Sequence, residues 1–305
     1  MNKMNRKYIF LIAVLLPLLF SGYGCALHAQ QDPQYSQYMF NQLALNPAFA
    51  GSREKMSSTL LYRNQWTGIE GAPQTAAFSY QMPLQKKKIG VGGEIISDHL
   101  GPRSTTALLL SYAYRISFLK GKLSFGLRMG AYNYAINWAK IDYKDKSDLY
   151  NIGIRDSRFT GTGDFGTYYY TRSFYWGIGF NHLNQGKIIS ADLSSLNSGG
   201  NVSRQAVHFF MPIGKAYQVG NVILNPTMLI KSSTNSPGSI DLSLNVLLKE
   251  RLWLGVSVRS GYGWVVLSQL QINDYFKFGY SFDYGMNKIG IAGKASHEIL
   301  SLIHI

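Results

Sequence analysis

From Met56 onward, apolar and polar residues alternate with a period of two. In "YFKFGYSFDYG", Phe276, Phe278, Tyr280, Phe282 and Tyr284 share one face, while Lys277, Gly279, Ser281 and Asp283 occupy the other. "KLSFGLRMGAY" sets Leu123, Phe125, Leu127, Met129 and Ala131 against Ser124, Gly126, Arg128 and Gly130. The same rhythm runs through Ile240–Leu248, Leu252–Val258 and Phe174–Phe180. Successive side chains on a strand point to opposite faces, so each segment predicts a strand with one apolar and one polar side. A soluble sandwich alternates in the same way. Three details favour a membrane. The apolar faces carry four or five consecutive large residues, about the span a tilted strand needs to cross hydrocarbon. The polar faces are rich in Gly and Ser, which suits a barrel interior. Trp66, Trp138, Trp253 and Trp264 fall near segment ends, where aromatic girdles sit.

Fourteen such segments are expected, at about 56–66, 74–83, 88–97, 104–117, 122–137, 164–172, 174–184, 204–214, 219–232, 238–249, 251–260, 263–272, 275–285 and from 295. That even number closes a transmembrane antiparallel β-barrel with both ends on the periplasmic side. Short links at Leu119–Gly121, Lys249–Glu250, Gly261–Tyr262 and Asn273–Asp274 predict periplasmic turns. The long polar links Asn137–Gly163 and Gln185–Ser203 predict surface loops, including "DYKDKSD" and "SADLSSLNSGGN".

Before the strands comes a leader: Lys3, Arg6 and Lys7, then an apolar run from Tyr8 to Phe20, too short for a membrane helix. Residues 1–29 are expected to be a signal peptide ending at Ala29, with Leu27 at minus-three an uncomfortable fit. Cys25 offers lipoprotein processing as an alternative, which Gly22 and Tyr23 fit poorly. With Cys25 removed, no disulfide framework is possible.

Composition agrees with a barrel: aromatic and glycine-rich, with 21 Tyr, 16 Phe and 31 Gly, and only 15% charged. No apolar stretch after the leader approaches 18 residues, which excludes a helical membrane protein. The formal charge of +14 comes without a basic helix or an aromatic RNA-binding motif, so no nucleic-acid partner is expected.

Between leader and barrel, residues 30–52 form a separate segment. Asp32-Pro33 suits a helix start, and Asn46-Pro47 a helix end. Tyr35, Met39 and Leu43 recur at four-residue spacing, predicting one amphipathic helix over Asp32–Leu45 at the periplasmic mouth. It either fills space or docks a partner through Tyr35, Tyr38, Met39, Phe40, Leu43, Asn46 and Pro47.

"DPQYSQYMFNQLALNPAFAGS", "LYRNQWTGIEGAPQTAAFSYQMPL" and "SHEI" (Ser296–Ile299) resemble the PorP/SprF family. The resemblance implies an integral outer-membrane β-barrel of the type IX secretion system of Bacteroidetes, with no catalytic residues. It also implies outer-membrane lipids, a periplasmic ring lipoprotein, other secretion components and secreted adhesin cargo as partners. A role in secretion or surface attachment of adhesins, including those of gliding motility, follows from it. Such family members close on an aromatic-ended strand, whereas this chain ends "LSLIHI", Leu300–Ile305. Those six residues are the translation of the transposon end CTGTCTCTTATACACATC, and adapter sequence is expected in place of the native terminus.

Other motifs carry little. "GTGDFG", Gly161–Gly166, matches a dinucleotide loop by letters, but a strand follows where a helix is needed. No two of His28, His99, His182, His208, His297 and His304 have metal-ligand spacing on a predicted helix. "DYKDKSD" lacks the calcium-loop pattern. No cofactor or metal is expected. Arg115, Arg128, Arg259 and Lys277 are expected inside the barrel with Glu94, Asp241 and Asp283. The expectation is a non-enzymatic secretion-system barrel; the alternatives are a solute channel and, third, a barrel hydrolase.

Overall fold

A computed structural model describes residues 32–84, 88–141, 155–188, 203–234 and 236–305, without the side chains of 155 and 156. The leader, Cys25, "DYKDKSD" and "SADLSSLNSGGN" lie outside the described residues.

The chain forms one antiparallel sheet. Its strands are β1 (Ser57–Asn64), β2 (Gln74–Leu84), β3 (Ile89–Leu100), β4 (Arg103–Phe118), β5 (Gly121–Asn137), β6 (Arg155–Tyr170), β7 (Phe174–Asn181) and β8 (His208–Lys215). They continue with β9 (Tyr217–Val219), β10 (Val222–Ser233), β11 (Ser236–Leu248), β12 (Leu252–Arg259), β13 (Gly263–Gln271), β14 (Phe276–Gly285) and β15 (Ala295–His304). Both β8 and β9 run along β10, at Thr227–Ser233 and Val222–Leu224, so they occupy one position in the wall. The wall therefore has 14 positions. Neighbours in sequence are neighbours in space, and β1–β15 completes the ring from Ser57↔His304 to Asn64↔His297. Closure leaves no unpaired sheet edge, the condition for crossing hydrocarbon with strands.

Alternation sorts the two faces as predicted. On β5, Leu127 and Met129 are 58% and 73% exposed, whereas Ser124 and Arg128 are buried. On β14, Phe278, Tyr280 and Tyr284 are exposed while Ser281 and Asp283 are fully buried. A single sheet has no second sheet to cover these apolar faces, so they form the lipid belt. Trp264 joins it at one end, stacked on Tyr284 at 5.5 Å. Trp253 does not. It alternates with exposed Leu254, faces the lumen and meets Phe40 edge-on at 6.2 Å.

Both barrel termini share one end, called here the turn end; β1 starts there and β15 finishes there. The opposite, loop end holds the long connections after β5 and β7. Two expectations change. β6 begins at Arg155, and the ladder reaches Asn137↔Arg155, so part of the expected Asn137–Gly163 loop is wall. "RDSRFTGTGD" lacks a continuous apolar face because its outward positions include Ser157, Gly161 and Gly163 beside Phe159. The tight Gly261–Tyr262 link lies at the loop end, not with the other short turns. The strand expected from 295 is β15, which runs through Leu300–His304 and pairs with both β1 and β14.

Replacing Leu127 by Arg should test the lipid belt. A cation at mid-depth costs about 2–4 kcal/mol in a lipid-embedded barrel. The expected result is a loss of that size in denaturant unfolding from vesicles, and Lys122→Arg at the rim should cost little.

Candidate functional site

The segment after Asp32 runs inside the barrel. Its upper end is held near the loop end: Asp32 meets His182, which follows β7. It then descends, and Ala50 and Gly51 reach Arg115 on β4 and Gln81 on β2, close to the turn end. The predicted helix over Asp32–Leu45 is absent. Three single 3-10 turns, Tyr38–Phe40, Gln42–Ala44 and Pro47–Phe49, replace it. The reason is visible at both expected caps. Asp32 spends its carboxylate on His182 rather than on a helix N-terminus. Asn46 instead caps the turn opened by Pro47, accepting from the Ala48 amide. Tyr35, Leu43 and Met39 pack into three separate clusters, so their four-residue spacing marks no single helix face.

A plug without regular structure leaves its backbone groups needing partners. The barrel wall supplies them through buried ions. In the first cluster Arg63 reaches Asp283 at 2.6 Å and Glu298 at 3.1 Å. Glu298 accepts the amides of Ser36 and Gln37 at 2.9 and 2.8 Å, and the Ser36 hydroxyl donates to Asp283 at 2.6 Å. In the second, Arg128 pairs with Glu94 at 2.8 Å and Asp164 at 2.5 Å while donating to the Leu43 carbonyl at 3.1 Å. In the third, Lys231 and Arg259 share Asp241 at 2.9 and 3.0 Å, and nearby Tyr38 meets Thr227 at 3.0 Å. Each cluster is almost free of solvent, so its charges interact strongly and an orphaned member would be costly.

Inward glycines make the room. A Cβ on Gly126 would overlap the backbone of Ala48, one on Gly90 the carbonyl of Ala50, and one on Gly166 the amide oxygen of Asn46. Gly166 belongs to "GTGDFG", which is part of β6. Its glycines serve the plug, and its Asp164 pairs with Arg128. Asn46 fills the resulting slot, donating to the Thr167 and Ile178 carbonyls at 2.9 and 3.2 Å.

The upper anchor has a triad-like outline. Thr162 lies 2.9 Å from Nδ1 of His182, and Asp32 lies 3.0 Å from Nε2. The Thr162 hydroxyl, however, donates to Asp164 at 3.1 Å, so it accepts from Nδ1. Both ring nitrogens then face acceptors, and the geometry calls for a protonated imidazole paired with Asp32. Both residues lie off the spanning strands. Burial alone would lower the His182 pKa, but the Asp32 carboxylate outweighs it and holds the value above the ordinary one. This is an anchor, not a nucleophile and base. Among the described residues no group of three His, Cys, Asp or Glu could hold a metal.

Of the seven candidate partner residues, Tyr35, Tyr38, Leu43, Asn46 and Pro47 are buried in the lumen, and Met39 and Phe40 are half-buried. Arg128, Glu94, Arg259, Asp241 and Asp283 face inward as expected. Arg115 donates to the carbonyls of Ala50 and Ile89. His208 faces the lumen, its ring 5.8 Å from that of His182. Sequence reasoning missed Arg63, Asp164, Glu298 and the plug-binding role of the glycines. The signal was present: charged residues on the polar face of a strand, opposite a segment with serine, glutamine and asparagine but no helix.

The model of the PorP/SprF type IX secretion system membrane proteins matches residues 27–302. No curated protein matches the chain. Among solved structures, the CymD monoaromatic hydrocarbon channel is 13% identical, with a TM-score of 0.50 and coverage of 87% of this chain and 91% of that one. A Pseudomonas aeruginosa FadL homologue is 10% identical, TM-score 0.47, covering 93% and 96%. The Acinetobacter baumannii outer membrane protein Omp33 is 8% identical, TM-score 0.46, covering 82% and 98%. At these identities the likeness extends to the barrel fold alone.

Arg63→Ala should strand Asp283 and Glu298 and destabilise the folded barrel by about 3–5 kcal/mol, read by denaturant unfolding. A pH prediction follows from His182. A raised folded-state pKa means its contribution is complete below the ordinary histidine value and is lost as pH rises through the folded value. A cysteine placed at Gln34 should therefore react faster with a maleimide at alkaline pH than thiolate formation alone explains, and Asp32→Asn should abolish that extra pH dependence.

Proposed function

The chain belongs to the PorP/SprF family of type IX secretion system membrane proteins, and from that premise we propose that it is a plugged, non-enzymatic component supporting secretion or surface attachment of adhesins. The family and the barrel place it in the outer membrane, among other components of that system. The observation that carries the proposal is the occupied lumen. Residues from Tyr35 to Ser52 fill it, tied to the wall by three buried ion clusters. A solute channel needs a continuous aqueous path, and this interior is instead spent on holding a peptide.

In this reading a leader directs export and is removed after Ala29, and the wall contacts membrane lipid. The turn end faces the periplasm, where a ring lipoprotein is the expected neighbour, and the loop end faces the adhesin cargo, including adhesins of gliding motility. With most of them inside the lumen, Tyr35, Tyr38, Met39, Phe40, Leu43, Asn46 and Pro47 would meet a partner only on a displaced plug.

Deleting the gene should remove adhesins from the cell surface while leaving small-solute uptake unchanged. A chain lacking Asp32–Leu45 should insert but fail to restore display, and envelope pull-downs should show whether partners are lost with the segment. Normal adhesin display with impaired solute uptake would reverse the assignment in favour of a channel.

A further inference from the structure

Where the plug leaves the lumen at the turn end, it carries Arg53 and Lys55. The Arg53 guanidinium lies 5.7 Å over the Phe49 ring, and Nη2 donates to the Phe40 carbonyl. Nη1 is buried and has no protein partner. A buried donor left unpaired needs an explanation, because its desolvation is uncompensated. Lys277, at the start of β14, alternates with outward Phe276 and Phe278 and so faces the lumen. Arg53 and Lys55 are near enough to repel it, and no carboxylate is among the charges acting on it. Arg53 and Lys277 are half-buried and Lys55 is exposed, and the Phe40 carbonyl engages only one of the two terminal nitrogens of Arg53. The surrounding turns add exposed Lys88, Lys120, Arg172, Lys215, Lys249 and Arg251, against Glu250 and Asp274, while Glu54, between Arg53 and Lys55, pairs with Lys122. His304 lies beside the same three cations and adds no carboxylate.

We propose that the turn-end mouth is an electropositive socket for an acidic polypeptide segment of a partner, its carboxylates seated on Arg53, Lys55 and Lys277 while the rim lysines steer the approach. An unpaired guanidinium N–H pair and two ammonium groups match carboxylates well. Like charges focused in a concave mouth raise the local concentration of an acidic ligand and its association rate. Lipid phosphates pair with the outer rim lysines, but the central three residues sit on the plug and on the lumen face of the wall, inside the ring of headgroups. A polypeptide can enter there. The inference rests on the proposed function only for which side of the membrane this mouth faces.

The test uses the full chain in zwitterionic nanodiscs and a fluorescent synthetic peptide rich in Asp and Glu. Saturable one-site binding is expected, weakening with salt and falling about tenfold or more in an Arg53→Gln, Lys55→Gln, Lys277→Gln variant. An Arg103→Gln, Lys187→Gln variant at the loop end should bind as the parent does. Equal binding by the parent and the triple variant would overturn the socket, as would absence of binding. So would loss of peptide binding on changing to anionic nanodiscs or adding inorganic phosphate at low millimolar concentration, since lipid or free phosphate would then be the occupant. Heat-modified gel mobility checks that the triple variant is folded. None of these outcomes depends on adhesin display, so the socket and the secretion role can fail separately.

Discussion

A closed strand wall that turns its apolar side to lipid must turn its polar side inward, and something has to satisfy that interior. Water is one solution, and it makes a pore. Here a peptide is the other. Arg63 is the clearest instance: one guanidinium joins β14 and β15 through Asp283 and Glu298, and the same two carboxylates hold Ser36 and Gln37 of the plug. Neither wall nor plug is complete alone. With the plug gone, the carboxylates lose backbone donors; with Arg63 gone, they repel each other in a water-poor space. Arg128 repeats the arrangement against Glu94, Asp164 and two plug carbonyls.

This dependence explains features of the wall that the membrane does not. Lipid contact asks only for outward apolar side chains. It says nothing about glycine on the inner face, yet Gly90, Gly126 and Gly166 lie where a Cβ would strike the plug. The interior is shaped to one peptide path, from the His182–Asp32 pair at the loop end to Arg115 and Gln81 near the turn end. Direction matters for function. The plug's first described residues lie toward the loop end, and its exit, carrying Arg53 and Lys55, lies toward the mouth where the barrel begins.

The wall was legible in sequence because a period of two is local and each strand repeats it. Phe276–Tyr284 and Leu123–Ala131 declare inside and outside without reference to any partner strand. β6 was less legible: in "RDSRFTGTGD" the outward positions hold serine and glycine beside Phe159, so the alternation carries no greasy face. The plug was misread for a different reason. Tyr35, Met39 and Leu43 repeat as a helix would, but their spacing is fixed by what they touch across the lumen. Asp32 and Asn46, residues that favour caps, found side-chain and carbonyl partners on strands far away in sequence. Such contacts cannot be seen in a local window. The polar side chains of "QYSQYMFNQ" hint at a polar container, and Arg63 and Glu298 lie within the blocks that resemble the family.

The central claim is that the lumen is closed by this segment in the resting protein. Planar-bilayer recording of the purified full chain measures it directly, beside a Gly126→Val variant in which the slot for Ala48 is filled. The account predicts a silent parent and discrete openings in the variant. Steady open currents from the parent, unchanged by Gly126→Val, would contradict it.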